Sequence, residues 1–328
     1  MPLKPISTKI AIAGAGMTGA YLYRLLSRES DRIDVYDVAP PTRCGLSPCA
    51  WGTSRGFVEL VAEAGLSADK YILHRPGHVL MDDVEIKADL MTFDKPRLVK
   101  DLLAGARIKH SDLDPLAYER VIDATGVARA FLPPIADDIV LPCVQYRLKT
   151  SKPLENKINL GRIGYAWCFP LSGGRYHIGC GSLVADPRAR IDELGLRDSA
   201  ADSRQTVICE CSGKIRLAGP QASVPFVAAD IWGVGEAIGC VAPLAGDGIV
   251  PGMKSVQLLL RYWNDPTGYT QAVLKEFHWM NGERRVLEKL RKGRPLGIRD
   301  ALVLKHNSKR MGMRIKLSDA AKLLRRLR

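Results

Sequence analysis

The amino-acid sequence predicts an α/β protein with a parallel-sheet domain, an inserted and mostly antiparallel sheet, and a helical C-terminal region. Three observations lead to this prediction. Residues 8–37 read as a complete β-α-β unit, residues 140–230 change to short alternating segments, and glycine-rich apolar sequence returns after Gly233. The order of these patterns indicates that one domain is interrupted by another, and a basic helical stretch follows them.

The first strand and the first helix are joined by a glycine motif. An apolar run over residues 8–13 leads into Gly14, Gly16 and Gly19, which match G-x-G-x-x-G, and a helical pattern follows to Leu26. The first glycine permits a tight turn, the second lets the backbone approach a pyrophosphate, and the third lets the helix pack on the sheet. The N-terminus of the helix would offer N–H donors to that pyrophosphate. We therefore predict a Rossmann-like, dinucleotide-binding unit.

An acidic residue ends the second strand. Residues 32–37 alternate between apolar and polar side chains, and Asp37 lies 18 residues after the last glycine of the motif. A carboxylate at this position can accept hydrogen bonds from ribose hydroxyls, which favours FAD or NAD over the 2′-phosphate of NADP. The motif does not distinguish FAD from NAD, and a glycine-rich turn without a ligand is the alternative interpretation.

The composition narrows the class of protein. The chain has 328 residues, of which 46% are hydrophobic, and this is typical of a globular protein with a substantial core. The N-terminus leads directly into the first strand without a signal-peptide pattern, and no run approaches 18 apolar residues. The eight cysteines include no C-x-x-C pair and indicate reduced thiols. We therefore expect a cytoplasmic protein.

The net charge of +13 is concentrated at the C-terminus. Residues 284–328 contain 16 Lys and Arg against three Asp and Glu, so the rest of the chain is neutral. Apolar residues recur there at helical spacing, at Leu317, Ala320, Ala321, Leu324 and Leu327. The pattern predicts a basic amphipathic helix, which either lies on anionic lipid at a membrane surface or packs on the body of the protein. Nucleic acid is not an expected partner, because no aromatic residues interleave these charges.

The middle of the chain carries the strands of the inserted sheet. They are predicted at Val144–Lys149, Gly164–Phe169, Arg175–Cys180, Val207–Cys211 and Lys214–Ala218. Before them, Asp94 is the predicted N-cap of a helix that runs to Leu103. The predicted divisions are residues 1–135 and 231–265 for the two parts of the dinucleotide-binding domain, 136–230 for the substrate domain and 266–328 for the helical basic region.

Several separated motifs occur in a familiar order. They are the fingerprint Gly14–Gly19, the pair Cys44-Gly45, the run Asp123-Ala124-Thr125-Gly126, the run Tyr165-Ala166-Trp167-Cys168-Phe169-Pro170, and the segment from Gly235-Glu236-Ala237 to Gly248-Ile249. With these motifs the chain resembles the geranylgeranyl reductase family of FAD-dependent oxidoreductases, within the p-hydroxybenzoate-hydroxylase-like flavoprotein fold. The resemblance extends from residue 8 to about residue 260, and Y-x-W-x-F-P is its most discriminating motif.

The resemblance implies where FAD would bind. The adenosine half would lie on the fingerprint, including Thr18, and on Asp37. The ribityl and pyrophosphate groups would meet Glu236, which stands where the family usually has Asp. Gly248-Ile249 would open a helix whose N-terminus faces the isoalloxazine and stabilises a reduced, anionic flavin.

The resemblance also implies further residues near the cofactor. A helix-borne cation that helps to hold FAD aligns best with Lys95, and Arg97 is two positions away. Cys44 and Gly45 would lie in a loop near the flavin ring, which makes Cys44 the candidate catalytic residue. A buried cysteine without chemistry is the alternative for Cys44.

An aromatic strand would line the substrate side. Tyr165, Trp167 and Phe169 share one face of a strand because side chains alternate along it, and they form an apolar wall suited to a polyprenyl chain. A plain hydrophobic core is the alternative. His177 is interpreted as a strand histidine rather than a catalyst. Cys209 and Cys211 share a face and indicate core packing, since no further ligands accompany them, and no metal is expected.

Together these features predict an FAD-dependent reductase that saturates isoprenoid double bonds of a polyprenyl, geranylgeranyl-type lipid. Only one dinucleotide fingerprint is present, so electrons are expected from an external nicotinamide, quinol or ferredoxin-like carrier. The alternative enzyme is a flavin-dependent monooxygenase acting on a small apolar or aromatic substrate, and the missing W-x-W-x-I-P run argues against a halogenase. A non-catalytic FAD protein that docks an anionic partner is the third hypothesis, against which Cys44-Gly45 and the aromatic wall both argue.

Overall fold

The computed structural model of the chain describes residues 8–38, 49–196 and 205–327. The strands of this part are β1 (Ile10–Ala13), β2 (Ile33–Tyr36), β3 (Gly52–Thr53), β4 (Ile72–His74), β5 (His78–Met81), β6 (Val84–Lys87), β7 (Met91–Phe93), β8 (Ile108–Lys109), β9 (Arg120–Asp123), β10 (Val140–Thr150), β11 (Lys157–Gly161), β12 (Gly164–Pro170), β13 (Arg175–Ser182), β14 (Gln205–Arg216), β15 (Val227–Ala228) and β16 (Ile231–Gly233). The helices are α1 (Met17–Leu26), α2 (Phe57–Glu63), α3 (Lys95–Leu102), α4 (Pro187–Glu193), α5 (Ile249–Arg261), α6 (Pro266–Glu276), α7 (Met280–Arg291), α8 (Ile298–Ser308) and α9 (Leu317–Arg326).

A six-stranded sheet forms the first layer, in the order β15-β16-β9-β1-β2-β8. Its strands run parallel except β15, which forms a hairpin with β16. The central strand β1 is completely buried, because Ile10 and Ile12 face the core under α1, α3 and α5, whereas Ala11 packs with Tyr118 and Val121 on the other face. The predicted β-α-β unit is therefore present, and the α/β fold class is confirmed.

A seven-stranded sheet forms the second layer, in the order β14-β10-β13-β12-β11-β5-β6. All its pairings are antiparallel except that of β11 with β5. The segments predicted at Val207–Cys211 and Lys214–Ala218 form one long strand, β14, which ends at Arg216. Helix α4 covers one face of this sheet, where Tyr146, Leu148 and Ile178 form a separate core.

A small sheet, β3-β7-β4, lies between the two layers. Thr92 on β7 donates a hydrogen bond to the carbonyl of Pro170 at the end of β12 (2.7 Å). Helix α3 follows β7 and begins as predicted, since the Asp94 side chain accepts the N–H of Arg97. These contacts fix the start of α3 close to the antiparallel sheet.

The C-terminal helices pack on the body of the protein. Ala320, Leu323 and Leu324 of α9 are buried in a core shared with the β5-β6 hairpin. Lys322 and Arg326 pair with Asp83 at the turn of that hairpin, at 2.8 Å and 2.9 Å. The predicted amphipathic helix is present, and its apolar face is occupied by intramolecular packing. Within the described residues, no helix combines the length and apolar character needed to cross a membrane.

Two structural facts bear on the predicted division of the chain. Strands β5 and β6 come from the segment assigned to the first domain, yet they extend the antiparallel sheet. Residue 230 falls within the β15-β16 hairpin, both strands of which belong to the parallel sheet. Hydrogen bonding between sequence-distant edges, which local patterns do not encode, explains both differences.

Candidate functional site

The glycine loop after β1 is shaped by contacts within the protein at two of its three glycines. Gly14 has a φ of +105°, and a Cβ there would lie 2.4 Å from the carbonyl oxygen of Ala124. A Cβ on Gly19 would lie 1.9 Å from the carbonyl oxygen of Gly14. Both positions therefore require glycine for packing of the loop, α1 and the Asp123–Gly126 turn.

Gly16 differs from its two neighbours because a Cβ there would meet no atom within 4 Å. It is the N-cap of α1, and no side chain caps the N–H groups of the first turn. The first turn of a helix carries unpaired donors and the positive end of the dipole. The second glycine thus leaves space beside these donors, which is the arrangement that a pyrophosphate requires.

Thr18 lies in this first turn, but its side chain points toward the protein. Its Oγ1 would lie 2.7 Å from a Cβ on Gly235 and 2.5 Å from one on Gly252. Thr18 therefore packs against the second half of the domain. Its hydroxyl connects α1 with α5 and is not directed at the space beside Gly16.

Asp37 follows β2 and reaches the glycine loop. Its carboxylate accepts backbone hydrogen bonds from Ala15 and Val38, while burial raises its pKa. His110 places its Nδ1 2.8 Å from the carbonyl oxygen of Asp37. The structure therefore brings Asp37 to the fingerprint, in the position from which a carboxylate would meet a ribose.

The turn after β9 is organised by one buried carboxylate. Asp123 is fully buried, and its Oδ1 accepts hydrogen bonds from the backbone and hydroxyl of Thr125, at 3.1 Å and 2.6 Å. Its Oδ2 accepts the N–H groups of Phe131 and Leu132. With all these bonds made inside the protein, Asp123 fixes the turn that Gly14 approaches.

Glu236 lies on the same edge of the sheet and is held by Arg216. Its Oε1 accepts the backbone N–H of Arg216 at 2.7 Å, and a Cβ on Gly126 would lie 3.4 Å from Oε2. Burial raises the pKa of Glu236, and Arg216 and Lys95 act in the opposite direction. Glu236 thus stands beside the Asp123–Gly126 turn.

Arg216 was not predicted, although it joins three segments of the site. Its guanidinium, 4% exposed, pairs with Asp138 at 3.0 Å and donates to the carbonyl oxygens of Gly126, Val127 and Glu236. It ends β14, and the sequence around it carries no local signal of this role. The side chain connects the antiparallel sheet to both turns of the parallel sheet.

The N-terminus of α5 carries an acidic group. Asp247 accepts the hydroxyl of Ser54 at 2.8 Å and the backbone N–H of Ile249 at 3.2 Å, and burial raises its pKa. Gly248 is the N-cap of α5 and has no side chain, so the Asp247 carboxylate before it takes the first N–H of the helix. Tyr165 donates its hydroxyl to the carbonyl of Ala245 in the preceding loop. The N-terminus of α5 therefore lies between β3 and the aromatic strand β12.

The two candidate cations on α3 lie in different surroundings. Lys95 is 6% exposed and acts electrostatically on Glu236 and His177, so it belongs to the site. Arg97 is exposed, donates to the carbonyl of Lys70 at 3.1 Å and lies over the ring of Tyr71. The structure brings Lys95 to the site and does not bring Arg97 there.

The inner face of the antiparallel sheet carries the predicted aromatic residues. Tyr165 and Trp167 have ring centroids 5.8 Å apart, and Trp167 and Phe169 are 6.5 Å apart. The indole of Trp167 lies across Gly179 of β13, where a Cβ would come within 2.2 Å of it. The side chain of Phe169 lies against β3, since a Cβ on Gly52 would be 3.3 Å from its ring. The three rings therefore share one face, opposite the core under α4.

Two predicted residues, Cys44 and Gly45, lie outside the described part of the chain. Cys209 and Cys211 are buried on β14, and Cys211 accepts a hydrogen bond from Gln145. Across residues 8–38, 49–196 and 205–327, no group of three His, Cys, Asp or Glu side chains is arranged to hold a metal ion.

No protein-family model matches the chain. An uncharacterized protein of Methanocaldococcus jannaschii is 23% identical to it, over 77% of this chain and 82% of its own length. A geranylgeranyl bacteriochlorophyll reductase-like protein of Thermoplasma acidophilum is structurally similar, with a TM-score of 0.70, 16% identity and coverage of 98% and 95% of the two chains.

Two further solved structures share the fold. A flavoprotein/dehydrogenase of Cytophaga hutchinsonii has a TM-score of 0.65 and 13% identity, covering 98% of this chain and 92% of its own. A peptidyl tryptophan dihydroxylase has a TM-score of 0.62 and 17% identity, covering 91% and 79%. The chain thus has the flavoprotein fold to which its motifs pointed, and these neighbours support FAD as the cofactor of the fold.

The arrangement of residues at the candidate site fits a dinucleotide cofactor. Gly16 leaves open the space beside an uncapped helix N-terminus, and Asp37 stands at the edge of that loop. Glu236 stands beside the Asp123–Gly126 turn, and the loop before α5 reaches the aromatic strand through the hydrogen bond from Tyr165 to the carbonyl of Ala245. The candidate site therefore extends from the glycine loop to the aromatic strand β12.

Proposed function

We propose that this chain is an FAD-dependent oxidoreductase that saturates isoprenoid double bonds of a polyprenyl, geranylgeranyl-type lipid. The observation that carries the proposal is one continuous arrangement, in which an open glycine cradle leads past Glu236 and the N-terminus of α5 to a strand face with three aromatic rings. The similarity to a geranylgeranyl bacteriochlorophyll reductase-like protein supports the choice of substrate class.

The chain's own residues would bind and orient the cofactor. The first turn of α1 would donate to the pyrophosphate beside Gly16, and Asp37 would accept the ribose hydroxyls. Glu236 would accept a ribityl hydroxyl, and Lys95 would add positive charge close by. When bound, reduced FAD supplies a hydride to one alkene carbon while a proton reaches the other, so the lipid gains two hydrogens and the flavin is oxidised.

The aromatic face would hold the chain of the lipid. Tyr165, Trp167 and Phe169 present large apolar surfaces along one strand, and such rings bury much of a ligand's area at small entropic cost. Tyr165 is fixed by its bond to Ala245, so the wall is attached to the loop that precedes α5. An external electron donor (a nicotinamide, quinol or ferredoxin-like carrier) would reduce the cofactor again. Cys44 remains the candidate for a catalytic group near the ring.

A peripheral membrane contact would be electrostatic. The apolar face of α9 is packed against the β5-β6 hairpin, and the exposed charges Arg314, Lys316 and Arg325 would face the anionic lipid. Binding to vesicles with anionic lipid should then fall steeply with salt, since exposed charges are screened within about 10 Å at 0.1 M salt. Sedimentation that is insensitive to salt would contradict this part of the proposal.

A flavin-dependent monooxygenase is the second candidate. Its substrate would be a small apolar or aromatic molecule held against the rings of Tyr165, Trp167 and Phe169. A peptidyl tryptophan dihydroxylase shares the fold of this chain. The fold therefore supports a monooxygenase as well as it supports a reductase.

Anaerobic reoxidation separates the two candidates. The FAD-loaded protein is reduced with dithionite, freed of excess reductant and mixed with a geranylgeranyl lipid while the visible flavin spectrum is recorded. A reductase restores the oxidised-flavin band and adds two hydrogens per double bond to the lipid, whereas a matched phytanyl lipid without double bonds leaves the spectrum unchanged. A flavin that stays reduced with both lipids, but reoxidises faster in air when an aromatic substrate is added, would establish a monooxygenase instead.

A further inference from the structure

The inner face of the antiparallel sheet carries buried polar atoms whose hydrogen-bonding capacity is unused. Arg147 Nε, Trp167 Nε1 and both ring nitrogens of His177 on this sheet, and Thr53 Oγ1 on β3, are buried and have no hydrogen-bond partner among the described residues. His177 is 0% exposed, Thr53 4% and Trp167 5%. A buried polar group without a partner loses its hydrogen bonds to water and gains none in return, so such groups are normally paired. Their concentration in one region indicates that a ligand satisfies them.

Strand register brings three of these side chains together. On β13, His177 lies opposite Arg147 of β10 on one side and Phe169 of β12 on the other. Trp167 is two residues before Phe169 and therefore points to the same face. The cluster is thus built on three adjacent strands of a rigid sheet and not on a loop.

Trp51 closes the cluster from the side of β3. Its ring centroid is 4.7 Å from that of His177, and the guanidinium of Arg147 lies 5.3 Å from it. Trp51 has a φ of +57°, a left-handed conformation that is unfavourable for a bulky residue. A strained backbone of this kind persists where the surrounding structure enforces it, and such positions cluster at ligand sites.

The available hydrogen-bonding groups are mostly donors. The indole N–H and the guanidinium N–H can only donate, and a hydroxyl or a neutral imidazole can also donate. Burial, with Arg147 and Lys95 nearby, lowers the pKa of His177 to about 3, so the imidazole is neutral at physiological pH. The guanidinium of Arg147 forms no ion pair or hydrogen bond with another described residue. A cluster of donors that includes a guanidinium is complementary to an anion with several acceptor oxygens.

We propose that Arg147, Trp167 and His177 bind an oxyanion carried by the substrate, which for a polyprenyl lipid is a phosphate group. The assignment rests on the proposed function for the identity of the lipid, and on the unpaired donors alone for the chemistry of the group. The apolar chain would lie along the aromatic rings while the phosphate occupies the donor cluster. Substrates would then be selected by their anionic end as well as by their double bonds.

Calorimetric titration of the FAD-loaded protein with inorganic phosphate tests the site directly, because bound FAD occupies the glycine loop. We expect saturable binding to the wild type, at least tenfold weaker binding to Arg147→Gln, and wild-type affinity for Lys149→Gln. Lys149 lies two residues further along the same strand and is exposed, so this variant removes the same charge outside the cluster. Equal phosphate affinity of wild type and Arg147→Gln would overturn the proposal.

Two lipids then distinguish a substrate-borne phosphate from a free one. Geranylgeranyl monophosphate should bind at least tenfold more tightly than geranylgeraniol to the wild type, and Arg147→Gln should remove this difference. If inorganic phosphate binds but the two lipids have equal affinity, the cluster holds a free anion and its assignment to the substrate is wrong. If the purified protein binds no FAD, the proposed function fails, while the difference between wild type and Arg147→Gln in phosphate binding still reports on the cluster.

A second variant excludes a purely structural role. Replacing His177 by Leu removes two unpartnered nitrogens, so the ligand-free protein should unfold at the same or a higher temperature, while its phosphate affinity falls. A His177→Leu protein that loses thermal stability and keeps phosphate binding would show that the imidazole supports the fold. A shift of the flavin midpoint potential in ligand-free Arg147→Gln would assign the donors to the cofactor and would also overturn the proposal.

Discussion

Glu283 of α7 accepts the backbone N–H of Leu244 through its Oε2, at 3.1 Å. This bond attaches the C-terminal helices to the loop that leads into α5 and the candidate flavin site. The other oxygen of Glu283 accepts the side-chain amide of Asn307 in α8, at 3.2 Å. One buried carboxyl group, 1% exposed, therefore connects two C-terminal helices with the loop between Pro243 and Gly248.

Stability should decrease with pH because of Glu283. Burial raises the pKa of this carboxyl to about 7, against an ordinary value of 4.5. Since the folded state binds the proton more tightly than the unfolded state, this contribution is complete below pH 4.5 and is lost as the pH rises through 7. The full loss is about 3 kcal/mol. Glu283→Gln, which stays neutral, should reduce the difference in unfolding free energy between pH 5 and pH 8, and an unchanged pH profile would contradict the assignment.

Replacement of two glycines in the fingerprint should have opposite consequences. Gly19→Ala places a Cβ 1.9 Å from the Gly14 carbonyl oxygen and should destabilise the protein by about 3 kcal/mol or more. Gly16→Val meets no protein atom at its Cβ, so the ligand-free protein should keep its melting temperature while FAD binding is lost. Thermal unfolding and FAD fluorescence titration measure the two effects. If Gly16→Val binds FAD normally, the cradle is not the pyrophosphate site.

Removal of the Asp37 carboxylate should weaken FAD binding. Hydrogen bonds between a charged group and ribose hydroxyls contribute about 1.5–3 kcal/mol, so Asp37→Ala should raise the dissociation constant roughly 10- to 100-fold. Asp31→Ala, an exposed position shortly before β2, is the matched control and should bind FAD as the wild type does. An Asp37→Ala protein that binds FAD with the dissociation constant of the wild type would exclude the assigned ribose contact.

The packing of α9 gives a prediction about the C-terminus. Leu324 is 4% exposed, so Leu324→Ala should cost about 2–5 kcal/mol of unfolding free energy in a denaturant titration. Leu302→Ala on α8, where the side chain is 36% exposed, should cost less than about 1 kcal/mol. A neutral effect at Leu324 would mean that α9 is not docked in solution, and that its apolar face is available to lipid.

Local patterns were sufficient for much of the fold. The β-α-β unit, the cap at Asp94 and the shared face of Tyr165, Trp167 and Phe169 depend on residues close in sequence, and the structure contains all three. Contacts between residues that are distant in the sequence could not be predicted in this way. Arg216 acts through contacts with segments about 80–90 residues away, and no periodicity encodes them.

The cluster of donors formed by Arg147, Trp167 and His177 could not be predicted from local patterns either. Alternation along β13 indicates only which face His177 shares, so the sequence predicts a strand histidine and no more. Its significance depends on which strands lie beside β13, and this pairing places Arg147 opposite it. The sequence contains the alternation of each strand, but the register between strands is set by turns and by packing over the whole sheet.

Strands β9 and β16 are neighbours in the parallel sheet, with Val121 opposite Ile231, although 110 residues separate them in the chain. During synthesis on the ribosome the N-terminal half therefore emerges with the free edge of β9 unpaired, until the whole antiparallel sheet has been made. Such long-range closure slows folding, and an open strand edge is a site for association between chains. The insertion of the antiparallel sheet between β9 and β16 thus also makes the nascent protein dependent on protection from aggregation.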